Sequence, residues 1–409
     1  MTDRRTISEA QRTIAGDPRV VDLTLKDLAA RAGAVAQVAR AHAAAVDAEG
    51  RFPHEAFAEI RRQRLLGIMV PAFLGGEAAS TAAVIDVCYL LGQACASTAL
   101  IFAMHQIKMA CIVGHSRGNA VIERILAGAA IDQLLLASST TEGQAGGNVR
   151  SSEAAVEPVD NYITLERKAT VISYAVEADG IVTTARRSAA SAADDQVLLL
   201  LLKSDYTLER LHGWDALGMR GTCSEGFTLR ARADAQQMLS DPYERIHTRT
   251  MVPFAHLAWG SVWAGIAAAA AGKAQAFLRH AARRSNGQLP PGAPLLTQAV
   301  SSLRTLRGLL ASALRSYEAA GCDEKLISSL EFQSMITLTK VQASELAASV
   351  VMSAMRACGL SGYRNDGEFS IGRHLRDVLS APLMINNERI LSNLTGTSLM
   401  TPLPTSISG

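Results

Sequence analysis

The stretch YITLERKATVISYAVEADGIVTTARR, Tyr162 to Arg187, decides the fold, because the hydrophobic pattern changes here from a helical to an extended one. Its pieces are β-branched or continuously apolar, of strand length, and bounded by Asp, Gly and Ser. The run VLLLLLK, Val197 to Lys203, reads the same way. In isolation it could be a buried helix fragment, but its brevity and the adjacent Asp194-Asp195 favour a strand. These segments predict a middle β domain over residues 134–245.

Upstream, residues 1–133 are Ala/Leu-rich, with apolar residues recurring at three and four, as in Leu28, Ala32, Val35 and Val38. That pattern predicts an N-terminal helical domain. Pro71 and the Gly75-Gly76 pair of GIMVPAFLGG break it into helices joined by a turn. Downstream, residues 246–409 return to the helical pattern, broken at GQLPPGAP (Gly287 to Pro294) and CGLSGYRNDGEF (Cys358 to Phe369). The order helices, strands, helices gives an α+β class. Without an internal repeat or long linker, the three parts are expected to pack as one body.

Composition narrows the function. The 409 residues are 48% hydrophobic and 19% charged, which excludes disorder for most of the chain. Forty Lys+Arg against 38 Asp+Glu leave a net charge of +2, too balanced for a nucleic-acid footprint. The six cysteines are scattered with no C-x-x-C pair, so reduced thiols and a cytoplasmic protein are expected, with no metal site. The charged N-terminus has no apolar signal core. The nearly uncharged run Phe254 to Gly272 is mostly Ala and Gly, and reads as a buried core helix rather than a membrane span.

Taken singly, the candidate sites have plain readings. TEGQAGGN (Thr141 to Asn148) could cradle an anion on its glycine N–H groups, or be a surface loop. GWDALGMRGTCS (Gly213 to Ser224) reads as a hairpin, and RHLRD (Arg373 to Asp377) as an exposed ion-pairing helix face. His105, among Phe102, Met104 and Met109, reads as a core or interface histidine.

Together these segments resemble the acyl-CoA dehydrogenase superfamily, in the family's order over almost the whole chain. LLGIMVPAFLGG (Leu65 to Gly76) is similar to its Leu-Gly…Val-Pro…Gly-Gly turn, and TEGQAGGN to its flavin-contacting Thr-Glu-Pro-x-Ala-Gly-Ser-Asp segment. GWDALGMRGTCS is the most specific match; RACGLSGY (Arg356 to Tyr363) and RHLRD complete it. The resemblance implies an N-terminal helical domain, a middle β-barrel-like domain and a C-terminal four-helix bundle. It also implies FAD between the last two, and a homotetramer or homodimer. The implied chemistry is α,β-dehydrogenation of an acyl thioester on CoA or a carrier protein, with electrons passed to a flavoprotein or oxygen.

By the same resemblance, the flavin-binding residues are Thr141, Gly146, Trp214 and Arg283. Arg356 stands for the usual glutamine, Thr170 for the flavin-facing aromatic residue and Ile172 for a flavin-facing threonine. The base positions depart furthest. Counted without gaps, the family's catalytic glutamate falls on Ile385, and the alternative position used by one branch falls on Leu257. Neither accepts a proton. Glu388 is one substitute, although Asn387 capping the next helix, with Glu388 complementing its positive end, is the favoured explanation. His256 is the other. Three readings stand: acyl-thioester dehydrogenation, favoured by the Trp214–Thr222 segment and the chain length; flavin monooxygenation, which needs no carboxylate; and a non-catalytic flavin binder.

Overall fold

The computed structural model describes residues 27–142, 149–400 and 406. Five helices precede the strands: α1 (Leu28–Glu49), α2 (His54–Arg62), α3 (Thr81–Gly92), α4 (Ala96–His115) and α5 (Ala120–Asp132). The turn at Pro71 falls between α2 and α3. There Ala78 N and Ala79 N donate to Val70 O and Ile68 O at 2.9 and 2.8 Å, and a Cβ on Gly76 would stand 2.1 Å from Val70 O. Only glycine fits.

The strands form two sheets. In one, β1 (Leu136–Ser139) pairs parallel with β4 (Gly180–Arg186), which pairs antiparallel with β5 (Gln196–Leu202). Val197–Leu201 and Ile181–Ala185 are buried on both faces, which is why they are continuously apolar. The other sheet is antiparallel, in the order β2 (Glu157–Val159), β3 (Tyr162–Ser173), β7 (Ser224–Asp234), β6 (Tyr206–His212). Burial alternates along β3, so only one of its faces meets the core shared with the first sheet.

After the strands, a short helical turn (Tyr243–Ile246) and a π-helical turn (His247–Met251) run directly into α6 (Val252–Arg284). Then come α7 (Ala293–Ala320), α8 (Leu330–Cys358), α9 (Gly372–Val378) and α10 (Asn387–Met400). Helix α8 packs against α6, α7 and α10. The small residues of α6 have a packing reason: a Cβ on Gly265 would stand 2.3 Å from Tyr89 O of α3. Ala96–His115 and Tyr243–Arg284 are long and apolar enough to cross a membrane, but their apolar windows are 89% and 83% buried within the fold, as core helices require.

The two most family-like motifs meet. Met219 N donates to Asp377 Oδ1 at 2.7 Å, and Arg376 Nη1 donates to Leu217 O at 3.0 Å and Asp47 Oδ1 at 2.9 Å. Arg220 Nε donates to Asp47 O at 2.8 Å, so one knot ties all three parts of the chain together. Both plain readings are thereby corrected. Asp377 and His374 are buried rather than on an exposed face, and Gly213–Ser224 is an interdomain junction rather than a self-contained hairpin. His105 is fully buried, as expected for a core histidine. It takes Leu136 N on Nδ1 at 3.0 Å and reaches Leu66 O through Nε2 at 2.9 Å, and burial pushes its pKa down to about 4.

Candidate functional site

A cavity of about 590 Å³ lies where α4, the end of β1, the π-helical turn, α6, α8 and α10 converge. That volume suits a small molecule or a cofactor ring with a compact substrate. Helix α4 is buried along almost its whole length and turns Met104, Ile107 and Lys108 to the cavity. The extra residue of the π-helical turn helps set the placement of His247 and Met251, which both line it. Helix α6 adds His256 and Trp259.

The charges are one-sided. Among the described lining residues are Lys108, Arg150, Arg389, His247 and His256, and no Asp or Glu. Burial lowers the Lys108 pKa to about 8, while its neighbour Cys111 is pushed up to about 12. Burial likewise drives His247 to about 3 and His256 to about 4, so both imidazoles are neutral at pH 7. The Ile336 carbonyl can only accept, so at 3.1 Å it holds the proton on His256 Nδ1 and leaves Nε2 with a lone pair.

The turn before α10 supplies Ile385 and is held from below. Lys340 Nζ donates to Asn387 Oδ1 at 2.6 Å, and Asn387 Nδ2 donates to Ser344 Oγ at 2.9 Å and Glu345 Oε1 at 2.8 Å. Asn387 is therefore a buried anchor and not the cap. Asn386 caps α10, its Oδ1 accepting from Arg389 N at 2.9 Å. Ile385 and Asn386 sit at φ of 58° and 51°, a region that a β-branched residue adopts rarely and at a cost of about 1–3 kcal/mol. Ile385 lines the cavity, whereas Glu388 is exposed and does not. Leu257 is fully buried in a separate apolar cluster with Ile336 and Phe332.

The residues expected to hold flavin are dispersed. Thr141 is half-buried beside Thr140, which lines the cavity; Gly146 lies outside the described residues. Trp214 Nε1 donates to Met219 O at 3.2 Å, closing its own turn. Thr170 is exposed on β3 and Ile172 is fully buried across a register shift between Ala169 and Ile172. Arg283 and Arg356 are exposed in the last turns of α6 and α8. The cavity thus brings together His256 and Ile385 from the sequence reading with Lys108, His247 and Trp259, which that reading missed. The signal for Lys108 was a lone lysine within the apolar run ASTALIFAMHQIKMACIVGH.

The donor set fits a flavin ring, which is rich in acceptors. Among the described residues the buried Trp259 Nε1–H has no partner, and Lys108 Nζ has only Met251 Sδ, at 3.7 Å. Glu142, next to Thr141, forms a buried ion pair with Arg167 at 3.2 Å and accepts from Ser152 Oγ at 2.9 Å, two residues beyond the cavity-lining Arg150.

The family profile described as acyl-CoA dehydrogenase, N-terminal domain, matches residues 26–124, and that described as acyl-CoA dehydrogenase, C-terminal domain, matches residues 262–385. Cyclohex-1-ene-1-carbonyl-CoA dehydrogenase of Geobacter metallireducens is 25% identical over 368 residues, covering 87% of this chain and 92% of that protein. FMN-bound TdsC from Paenibacillus sp. A11-2 superposes with a TM-score of 0.78 at 18% identity, over 92% of this chain and 98% of that one. Butyryl-CoA dehydrogenase from Megasphaera elsdenii superposes with a TM-score of 0.74 at 20% identity, over 93% and 100%.

Proposed function

Because the chain belongs to the acyl-CoA dehydrogenase superfamily and is a flavoprotein oxidoreductase, we propose that within this class it is a flavin-dependent monooxygenase. TdsC, a dibenzothiophene monooxygenase, and butyryl-CoA dehydrogenase share this fold, so the lining of the cavity has to discriminate. The observation that carries the reading is the absence of any carboxylate among the described lining residues, with Ile385 and Leu257 at the two positions where the family resemblance places the base. Removal of an α-proton needs an acceptor; oxygen insertion into an electron-rich substrate does not.

A reduced flavin, when bound, would supply the two electrons with which dioxygen and two protons give one oxygen atom to the substrate and one water, the flavin being re-reduced by NAD(P)H directly or through an external flavin reductase. The chain's own residues bind and orient. Trp259 offers an N–H donor, Met104 and Ile107 exclude water, and Lys108 holds positive charge against the reaction centre. The flavin expected is FAD, with Arg283 and Arg356, both exposed and not part of the cavity lining, reaching the cofactor of a second copy in a homodimer or homotetramer.

One observation favours the acyl-thioester alternative. His256 lines the cavity with its Nε2 lone pair set by the Ile336 carbonyl, which makes it the available base. Two assays separate the readings. Anaerobic bleaching of the flavin by acyl thioesters, lost in His256→Ala, supports dehydrogenation. No bleaching, together with incorporation of labelled dioxygen into a product by the chemically reduced protein, supports the monooxygenase.

A further inference from the structure

Lys108 is a buried ammonium for which the described residues provide no anion. It sits in the middle of α4, 3% exposed, and among the described residues its only hydrogen-bond partner is the thioether of Met251. Among the described residues no Asp or Glu acts on it; the titratable groups that do are Cys111 and Arg167, and Arg167 is already matched by Glu142. Lysine is almost never fully buried unless paired, because an uncompensated charge in a low-dielectric site is costly. Lys108 faces a cavity whose described lining contains no Asp or Glu. Such a site has a positive potential that a low-dielectric wall focuses.

We propose that this cavity binds a small organic carboxylate and that the Lys108 ammonium is its counter-ion. The rest of the wall is apolar, with Met104, Ile107, Val252 and Leu330, so the body of the ligand is hydrocarbon or aromatic with a single anionic head. This deepens the preceding reading by giving the substrate a charge. It holds for either reaction, because it concerns binding and not turnover.

The test titrates flavin-loaded protein with benzoate and with its neutral isostere benzamide, following the flavin absorption band. Benzoate should bind at least tenfold more tightly, and Lys108→Met should bring the two within twofold. That variant removes an unpaired buried charge, so it should fold and keep or raise its melting temperature. The pH profile supplies a second readout. Burial keeps His247 and His256 neutral and moves the neighbouring Cys111 and Tyr243 to higher pH, so Lys108 is the group among these that changes charge between pH 6 and 10. Benzoate affinity should fall about tenfold per pH unit above about 8 in the wild type and stay flat in the variant.

Equal affinity for benzoate and benzamide in the wild type would overturn the proposal. So would a preference for benzoate that survives Lys108→Met. If the variant instead loses flavin while its flavin-loaded fraction still prefers benzoate, Lys108 serves the cofactor and the assignment is wrong. Failure of the labelled-oxygen assay would sink the monooxygenase reading and leave these affinities unchanged.

Discussion

Replacing Glu142 by Gln should be among the most destabilising conservative changes in the chain. The Arg167 side chain is fully buried and that of Glu142 is 9% exposed, with Arg167 Nη1 lying 3.2 Å from Glu142 Oε1. The same carboxylate accepts from Ser152 Oγ at 2.9 Å and from the backbone N–H groups of Glu153 and Ala154. Gln keeps the size but removes the charge, leaving a guanidinium buried without its counter-ion, which costs about 3–5 kcal/mol. For 409 residues unfolding together, an entropy of about 2.1 cal/mol/K per residue gives about 0.9 kcal/mol/K, so the melting temperature should fall by about 3–6 °C. Ser152 to Ala154, just after the cavity-lining Val149 and Arg150, lose a charged acceptor as well, so flavin retention should drop with stability. Calorimetry on Glu142→Gln, Arg167→Met and the double variant Glu142→Gln/Arg167→Met provides the test. The double variant should be less damaged than the sum of the singles, because no lone charge remains. A Glu142→Gln shift under about 1 °C, or strict additivity of the two sites, would refute the reasoning.

Asp377 gives a pH dependence. Burial is the largest influence on it and raises its pKa to about 6 from 3.8, partly opposed by the Met219 N–H and Arg373. The folded state therefore favours the neutral carboxyl, and this contribution is fully present below pH 3.8 and is lost as pH rises through about 6. Asn at this position keeps the acceptor for Met219 N, so Asp377→Asn should gain on the wild type by about 3 kcal/mol between pH 4 and 6; parallel stability curves from denaturant titrations would contradict this. Gly218→Ala would put a Cβ 2.1 Å from Arg376 O, so it should pry the junction apart and increase protease cleavage around Gly213–Ser224. Arg283→Ala should weaken FAD binding by about 10–150-fold if the guanidinium meets a pyrophosphate. An unchanged dissociation constant, measured by fluorescence on the apoprotein, would point to FMN or to a different anchor.

The order helices, strands, helices was legible in the sequence because backbone periodicity is local. Residues three and four apart share a helix face, and alternate residues share a sheet face, whatever lies beyond. The buried character of Val197–Leu201, the glycine turn at Gly76 and the core role of His105 were readable for the same reason. The family was legible too, since its motifs are contiguous strings.

What those strings do was decided by tertiary packing. Met219 and Asp377 are 158 residues apart in sequence, and only the docking of α9 onto the β region makes one the partner of the other. Asn386 rather than Asn387 caps α10 because Lys340 and Ser344, on another helix, hold the Asn387 side chain inward. The sequence places Glu388 three residues from the family's base position, yet two successive residues at positive φ turn the chain so that Ile385 meets the cavity and Glu388 meets solvent. Lys108 is one charged residue in an apolar helix until α6, α8 and the end of β1 close around it. A charge acquires its chemistry from the groups and the dielectric that surround it, and those arrive from parts of the chain that no local pattern connects.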